Sequence, residues 1–118
     1  MSYDLKLRHP VTGEDLVLDS PHFMRGGTYC VDGENRARLN ITYNYVHHFR
    51  RVLGPEGIRA LYGKTGAETI PLLQAAIAQL RDDVSENYWD ATEGNARVAL
   101  HQCLALAMMR PEGVWSGD

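Results

Sequence analysis

The chain has 118 residues, of which 44% are hydrophobic and 23% charged, with a formal net charge of −3 at pH 7. This composition excludes disordered, collagenous and fibrous classes, and the length suits one domain, residues 1–118, with one core. The negative balance argues against general nucleic-acid binding, which relies on Lys and Arg neutralising several phosphates.

Tyr3, Leu5 and Leu7 alternate with Asp4, Lys6 and Arg8, the period of a half-buried strand. His9 to Glu14 supplies Pro and Gly for a turn, and Leu16-Val17-Leu18 returns, so the first twenty residues read as a β-hairpin. Pro10 and Pro21 bracket that unit, because neither could donate to a central ladder. An irregular loop is expected over 20–27. A second hairpin follows, from Thr28-Tyr29-Cys30-Val31 through Asp32-Gly33, a pair suited to tight turns. Its return strand sets Leu39, Ile41, Tyr43 and Tyr45 on one face and Arg38, Asn40, Thr42 and Asn44 on the other.

The period becomes helical at Val46, Phe49, Val52 and Leu53, with Asn44 as N-cap and Gly54-Pro55 as the stop. A short helix fits Pro55 to Tyr62. Another is expected from Thr69 or Ile70 to about Asp82, because Pro71 is tolerated only in a first turn. Its inward stripe is Ile70, Leu73, Ile77 and Leu80. The last helix is capped either by Asp90 with Glu93 or by Thr92 alone, and runs to Met109, with Val114-Trp115 folding back. Apolar residues cover most of its circumference, which predicts a central helix or one buried further by a partner subunit, hence a homo-oligomer. The expected fold is α+β: a small N-terminal antiparallel sheet of two hairpins (1–45) packed on three to four C-terminal helices (46–118).

No apolar run approaches the ~18 residues of a membrane span, and the opening lacks a signal-peptide profile, so no membrane association and a cytoplasmic location are expected. Cys30 and Cys103 are expected to be free, buried thiols. Gly63-Lys64-Thr65 ends like a P-loop, but Ile58 stands where the first glycine belongs and the preceding segment reads as helical. A Gly-flanked Lys before a helix could still meet an anion, or Gly63 could simply end a helix. The five histidines lack zinc spacing, and no cofactor is expected. Asp82, Asp83, Glu86, Asp90 and Glu93 read as capping groups more readily than as an acid–base pair. Arg36, Arg38, Arg50 and Arg51 read as a solvated face.

Eight of the ten aromatic residues are Tyr or Trp. Tyr43, Tyr45, Tyr62, Tyr88, Trp89 and Trp115 lie at or beside element ends, near Asn40, Asn44, Lys64, Thr65 and Asn95. Such groups combine apolar contact with directional bonding, as binding surfaces do; equally, they could cap helices and satisfy loop carbonyls. Asn40-Ile-Thr-Tyr-Asn-Tyr45, Leu61-Tyr-Gly-Lys-Thr65, Tyr88-Trp-Asp-Ala-Thr-Glu-Gly-Asn-Ala96 and Trp115-Ser-Gly-Asp118 together resemble an uncharacterised family of small phage, prophage and bacterial proteins, over about residues 38–118. The resemblance implies a genetic setting, with the host cytoplasm as location, and no mechanism.

The expected function is therefore binding rather than turnover. A small anionic, nucleotide-like ligand would be held by Asn40, Tyr43, Asn44, Tyr45, Lys64, Thr65, Tyr88, Trp89 and Asn95, with rings stacking and cations meeting the charge. The rival expectations are a module docking on a host or phage protein and a small enzyme of unfamiliar design.

Overall fold

The protein is described here by a computed structural model over residues 1–26 and 33–118. The expected strand at 28–31, Cys30 and the first residue of the Asp32-Gly33 turn lie outside the described residues.

β1 (Ser2–Arg8) follows the alternation of its sequence: Tyr3, Leu5 and Leu7 are buried, and the intervening polar residues are half-exposed. Its partners differ from those expected. β1 is the middle strand of an antiparallel sheet ordered β4-β1-β5, with β4 at Arg38–Thr42 and β5 at Val114–Ser116. The turn after β1 does form, since the His9 amide donates to the Glu14 carbonyl and the Leu16 amide to the Leu7 carbonyl. Beyond Leu16 the chain leaves β1, and β2 (Val17–His22) pairs with β3 (Glu34–Arg36) in a separate two-stranded sheet.

The reason lies in the residues of β2. Val17, Asp19, Ser20 and Pro21 are exposed, so this segment has no continuous apolar face to lay on the core. Pro21 sits inside β2 instead of beyond it, in a register that is irregular between Val17 and His22, where a missing donor is tolerated. The edge of β1 on which the hairpin return was expected is taken over by β4, and β5 fills the opposite edge, so the portion after residue 46 is not purely helical. Trp115, 1% exposed, anchors β5: its indole Nε1 donates to Thr69 Oγ1 at 2.9 Å. On its other side β5 is zipped to the Gly63–Thr65 segment. The Gly63 amide donates to the Trp115 carbonyl, the Trp115 amide donates to the Lys64 carbonyl, and Thr65 bridges Val114.

β4 ends at Thr42, sooner than a strand reaching Tyr45, because Thr42 Oγ1 accepts the Asn44 amide and bends the chain into a 3₁₀ turn at Tyr43–Tyr45. α1 (Val46–Leu53) therefore starts without a side-chain cap, and Asn44 is not its N-cap. The expected short helix is a 3₁₀ turn at Gly57–Leu61. α2 (Gly66–Ala78) begins before Thr69, on a reciprocal box in which Thr65 Oγ1 accepts the Glu68 amide and Glu68 Oε1 accepts the Thr65 amide, both at 3.1 Å. Pro71 thus lies in the second turn, where the cap offsets the one donor it lacks.

α3 (Glu93–Met109) is capped by Thr92, whose Oγ1 accepts the Asn95 amide. It is central, burying Ala96, Ala99, Leu100, Cys103, Leu106 and Ala107. The small side chains among these allow close approach to α2, its main neighbour. Cys103 is free, and burial pushes its thiol up to about 12. Arg36, Arg38 and Arg51 form separate pairs with Glu34, Asp4 and Glu93 instead of one basic face. Over the described residues the fold is a small α+β arrangement of antiparallel strands and three α-helices. Among the described residues, no helix is long and apolar enough to cross a membrane.

Candidate functional site

The loop between α2 and α3 has little regular structure, so its carbonyls need partners from elsewhere. It finds them in side chains. Asn95 Nδ2 donates to the carbonyls of Asn87 (3.1 Å) and Asp90 (2.9 Å), and Asn95 Oδ1 accepts the Ser85 amide at 3.0 Å. The Tyr45 hydroxyl donates to the Tyr88 carbonyl, and Asn44 Nδ2 to the Trp89 carbonyl at 2.8 Å. His48 Nε2 lies 2.7 Å from the Ala91 carbonyl, which fixes the proton on that nitrogen because a carbonyl only accepts. Five successive carbonyls, from Asn87 to Ala91, are thus held by four side chains of the 3₁₀ turn, α1 and α3.

This lattice explains why the Asn-Tyr pair at 44–45 and Asn95 stood out. Tyr45 is fully buried and Asn95 nearly so, and Asn44 Nδ2, the Tyr45 hydroxyl and both polar atoms of the Asn95 amide are engaged by the loop. Burial pushes the Tyr45 hydroxyl up to about 12, which keeps the donor protonated. What the lattice leaves to solvent is rings. Trp89 is 44% exposed and Tyr88 half-buried, their centroids 4.9 Å apart and tilted by 41°.

Beside the loop is a cleft of about 210 Å³. Tyr45, Tyr88 and Asn95 line it together with residues that sequence reasoning missed: Arg25, Glu86 and Gln102, plus Val84, Ser85 and Val98. Gln102 Oε1 accepts the Gly26 amide and so ties the segment carrying Arg25 to α3. Arg25 and Glu86 form no ion pair among the described residues. Glu86 stood out in the sequence only as one of a cluster of acids, and no local spacing could have joined it to Arg25, since the two meet only through the fold.

The remaining expected site residues lie elsewhere. Asn40 faces β1, donating to Ser2 Oγ and Asp4 Oδ1. Tyr43 packs edge-on against Tyr3, 4.5 Å between centroids, with the Arg59 guanidinium 5.1 Å from the Tyr3 ring. Lys64 lines a separate cleft with Val52, Leu53 and Leu72. The amides around it are all used internally: Gly63 and Ala67 on the carbonyls of Trp115 and Pro111, Lys64 on Leu61, Gly66 on Gly113, and Thr65 and Glu68 on each other's side chains. The free-amide cradle that an anion would require is not formed there. Gly63, at φ 83°, does end a helical turn in the left-handed conformation.

Three of the acidic residues around the loop serve structure. Asp83 Oδ1 accepts the Gly94 amide, Asp90 accepts from Ser85 Oγ, and Glu93 pairs with Arg51 and Arg81. Among the described residues, no group of three or more His, Cys, Asp or Glu is placed to hold a metal ion. No family model, no curated protein sequence and no solved structure matches the chain.

Proposed function

We propose that the protein binds a small anionic, nucleotide-like ligand at the cleft beside Tyr88, without turning it over. The observation that supports this reading is the pairing, in one cleft, of an aromatic wall with an arginine that has no acidic partner among the described residues. A planar ring against Tyr88 and an anionic group at Arg25 use both features. Glu86 and Gln102 are suited to ring amino and carbonyl groups. At about 210 Å³ the cleft is smaller than the roughly 300–1,000 Å³ of drug-sized sites, so it suits one ring, with the remainder of the ligand lying over Trp89. The phage-family resemblance extends the reading to sequestration of a host defence signal in the host cytoplasm.

Calorimetry and thermal shift against a panel of nucleotides test it. Binding by at least one member is expected. Tyr88→Ala should weaken it about 10–100-fold, because a stacked base contributes ~1–3 kcal/mol, while leaving the carbonyl lattice in place. Lys64→Gln should leave it unchanged. A folded protein that responds to no member of the panel overturns the reading.

A second reading is favoured by a different observation: Val84 and Trp89, on the same loop, are 58% and 44% exposed. An apolar, loop-borne pair of that kind also suits docking on a host or phage protein. That reading requires Trp89→Ala to abolish capture of a defined partner while Arg25→Gln does not.

A further inference from the structure

Much of the polar chemistry around the Tyr88 cleft is already spent within the fold. The Tyr45 hydroxyl goes to the Tyr88 carbonyl, Ser85 Oγ to Asp90 Oδ2, and Asn95 uses both ends of its amide on the loop. The Arg25 guanidinium, the Glu86 carboxylate and Gln102 Nε2 have no hydrogen-bond or ion-pair partner among the described residues. The Gln102 amide is oriented: the Gly26 N–H can only donate, so it takes Oε1 and leaves Nε2, a donor. Glu86 is the anomaly. In a cleft that takes an anion, a carboxylate repels the charge that Arg25 attracts. A base edge resolves this, because the two oxygens of a carboxylate match two parallel N–H donors.

We propose that the ligand is a guanine nucleotide. Its N1–H and 2-amino group donate to Glu86, its O6 accepts from Gln102 Nε2, and its phosphate meets Arg25. This rests on the reading that the cleft holds a nucleotide, and adds the identity of the base. Guanine is the base whose Watson–Crick edge sets two N–H donors side by side, next to a carbonyl oxygen. Adenine offers one amino donor beside the N1 lone pair, so one carboxylate oxygen would face an acceptor. Cytosine has the same defect at N3. Uracil flanks its single N–H with two carbonyl oxygens, which a carboxylate repels. Stacking on Tyr88 is open to any base, since every base has a π-face, and so the choice falls to Glu86.

Calorimetry of the full chain with guanosine, inosine, adenosine and cytidine monophosphates tests it. Guanosine monophosphate should bind tightest. Inosine monophosphate, which lacks only the 2-amino group, should bind about 10-fold or more weakly. Glu86→Gln replaces one acceptor by a donor, the complement of adenine's amino group and N1. It should weaken guanosine monophosphate about 10–100-fold and make adenosine monophosphate the tighter of the two. Glu86 is exposed and unpaired among the described residues, so this variant should keep the circular-dichroism spectrum of the parent. Equal affinities for the four, preference for another base, or a guanosine preference that survives Glu86→Gln overturns the assignment and leaves nucleotide binding standing. Binding of none of the four by the folded protein overturns the nucleotide reading and the assignment with it.

Discussion

Tyr45 donates its hydroxyl to the main-chain carbonyl of Tyr88, so a fully buried ring on one element fixes the backbone whose own ring faces the cleft. The two tyrosines divide the work: one supplies rigidity, the other a surface. Tyr45→Phe removes the hydroxyl and leaves the Tyr88 carbonyl short of a donor, so a loss of about 1–2 kcal/mol is expected. Hydrogen exchange should show faster amides over residues 85–91. The same change has an alkaline signature. Burial holds the folded-state pKa at about 12, above the model-compound value of 10.0, so the unfolded chain gives up this proton first. The stabilising contribution is therefore complete below pH 10 and is lost as pH rises toward 12. Urea titrations across that range should show a shallower decline for Tyr45→Phe than for the unaltered chain.

Asn95 is the other keystone, bonded to the Asn87 and Asp90 carbonyls and to the Ser85 amide. Asn95→Ala strands the Asp90 carbonyl and the Ser85 amide and leaves the Asn87 carbonyl with the Asp90 amide alone, and should cost about 2–4 kcal/mol in chemical denaturation. Asn95→Asp should cost more than Asn95→Ala, because a carboxylate then faces two carbonyl oxygens that it cannot bond. Equal losses for the two would mean that the amide orientation carries no weight.

What was legible in the sequence was local. The alternation of Tyr3, Leu5 and Leu7 and the Thr92 cap are set by neighbours a few positions apart and appear where expected. By contrast, α2 stops at Ala78 instead of about Asp82, so that of its expected stripe Leu73 and Ile77 are buried within it, Ile70 is half-buried and Leu80 is buried beyond its end. The pairing of β1 with β5 joins the two ends of the chain, and no local signal encodes it; only the burial of Trp115 and its bond to Thr69 make it necessary. The site divides in the same way. Tyr88 and Trp89 stood out as polar aromatics at an element end, and they reach the surface. Asn44, Tyr45 and Asn95 stood out for the same chemistry, but their polar atoms hold the loop, and only coordinates reveal which lone pairs and protons are spent. Arg25 had no pattern at all, and Glu86, read with its acidic neighbours as a capping group, lines the cleft instead.

Gly94 shows a constraint that spacing could not reveal. A Cβ there would lie 2.4 Å from the backbone of Asp83 and Val84, because the α2–α3 loop crosses the first turn of α3 at this point. The neighbouring main chain cannot yield as a flexible side chain can. Gly94→Ala should therefore lower the melting temperature far more than Gly63→Ala. The latter meets nothing within 4 Å and carries only the strain of its left-handed backbone, about 1–2 kcal/mol. Paired thermal melts check the order, and a reversal would mean that the loop does not pass so close to α3.

The C-terminal strand depends on a short buried relay. Trp115 Nε1 donates to Thr69 Oγ1, and that hydroxyl donates onward to the Gly66 carbonyl at 2.8 Å. Both side chains are buried, so water cannot replace either bond. Thr69→Val keeps the shape but leaves the indole N–H without an acceptor, and should cost about 1–3 kcal/mol. Thr69→Ser keeps the hydroxyl and loses only a methyl group, so it should lie about 1 kcal/mol or less from the parent. Trp115 fluorescence during denaturation gives both stabilities, and near-ultraviolet circular dichroism reports whether the indole keeps its environment. If Thr69→Val were as stable as the parent, β5 would owe its place to the apolar face of Trp115 and its backbone ladder alone, and the relay would contribute nothing to holding the C-terminal strand in the sheet.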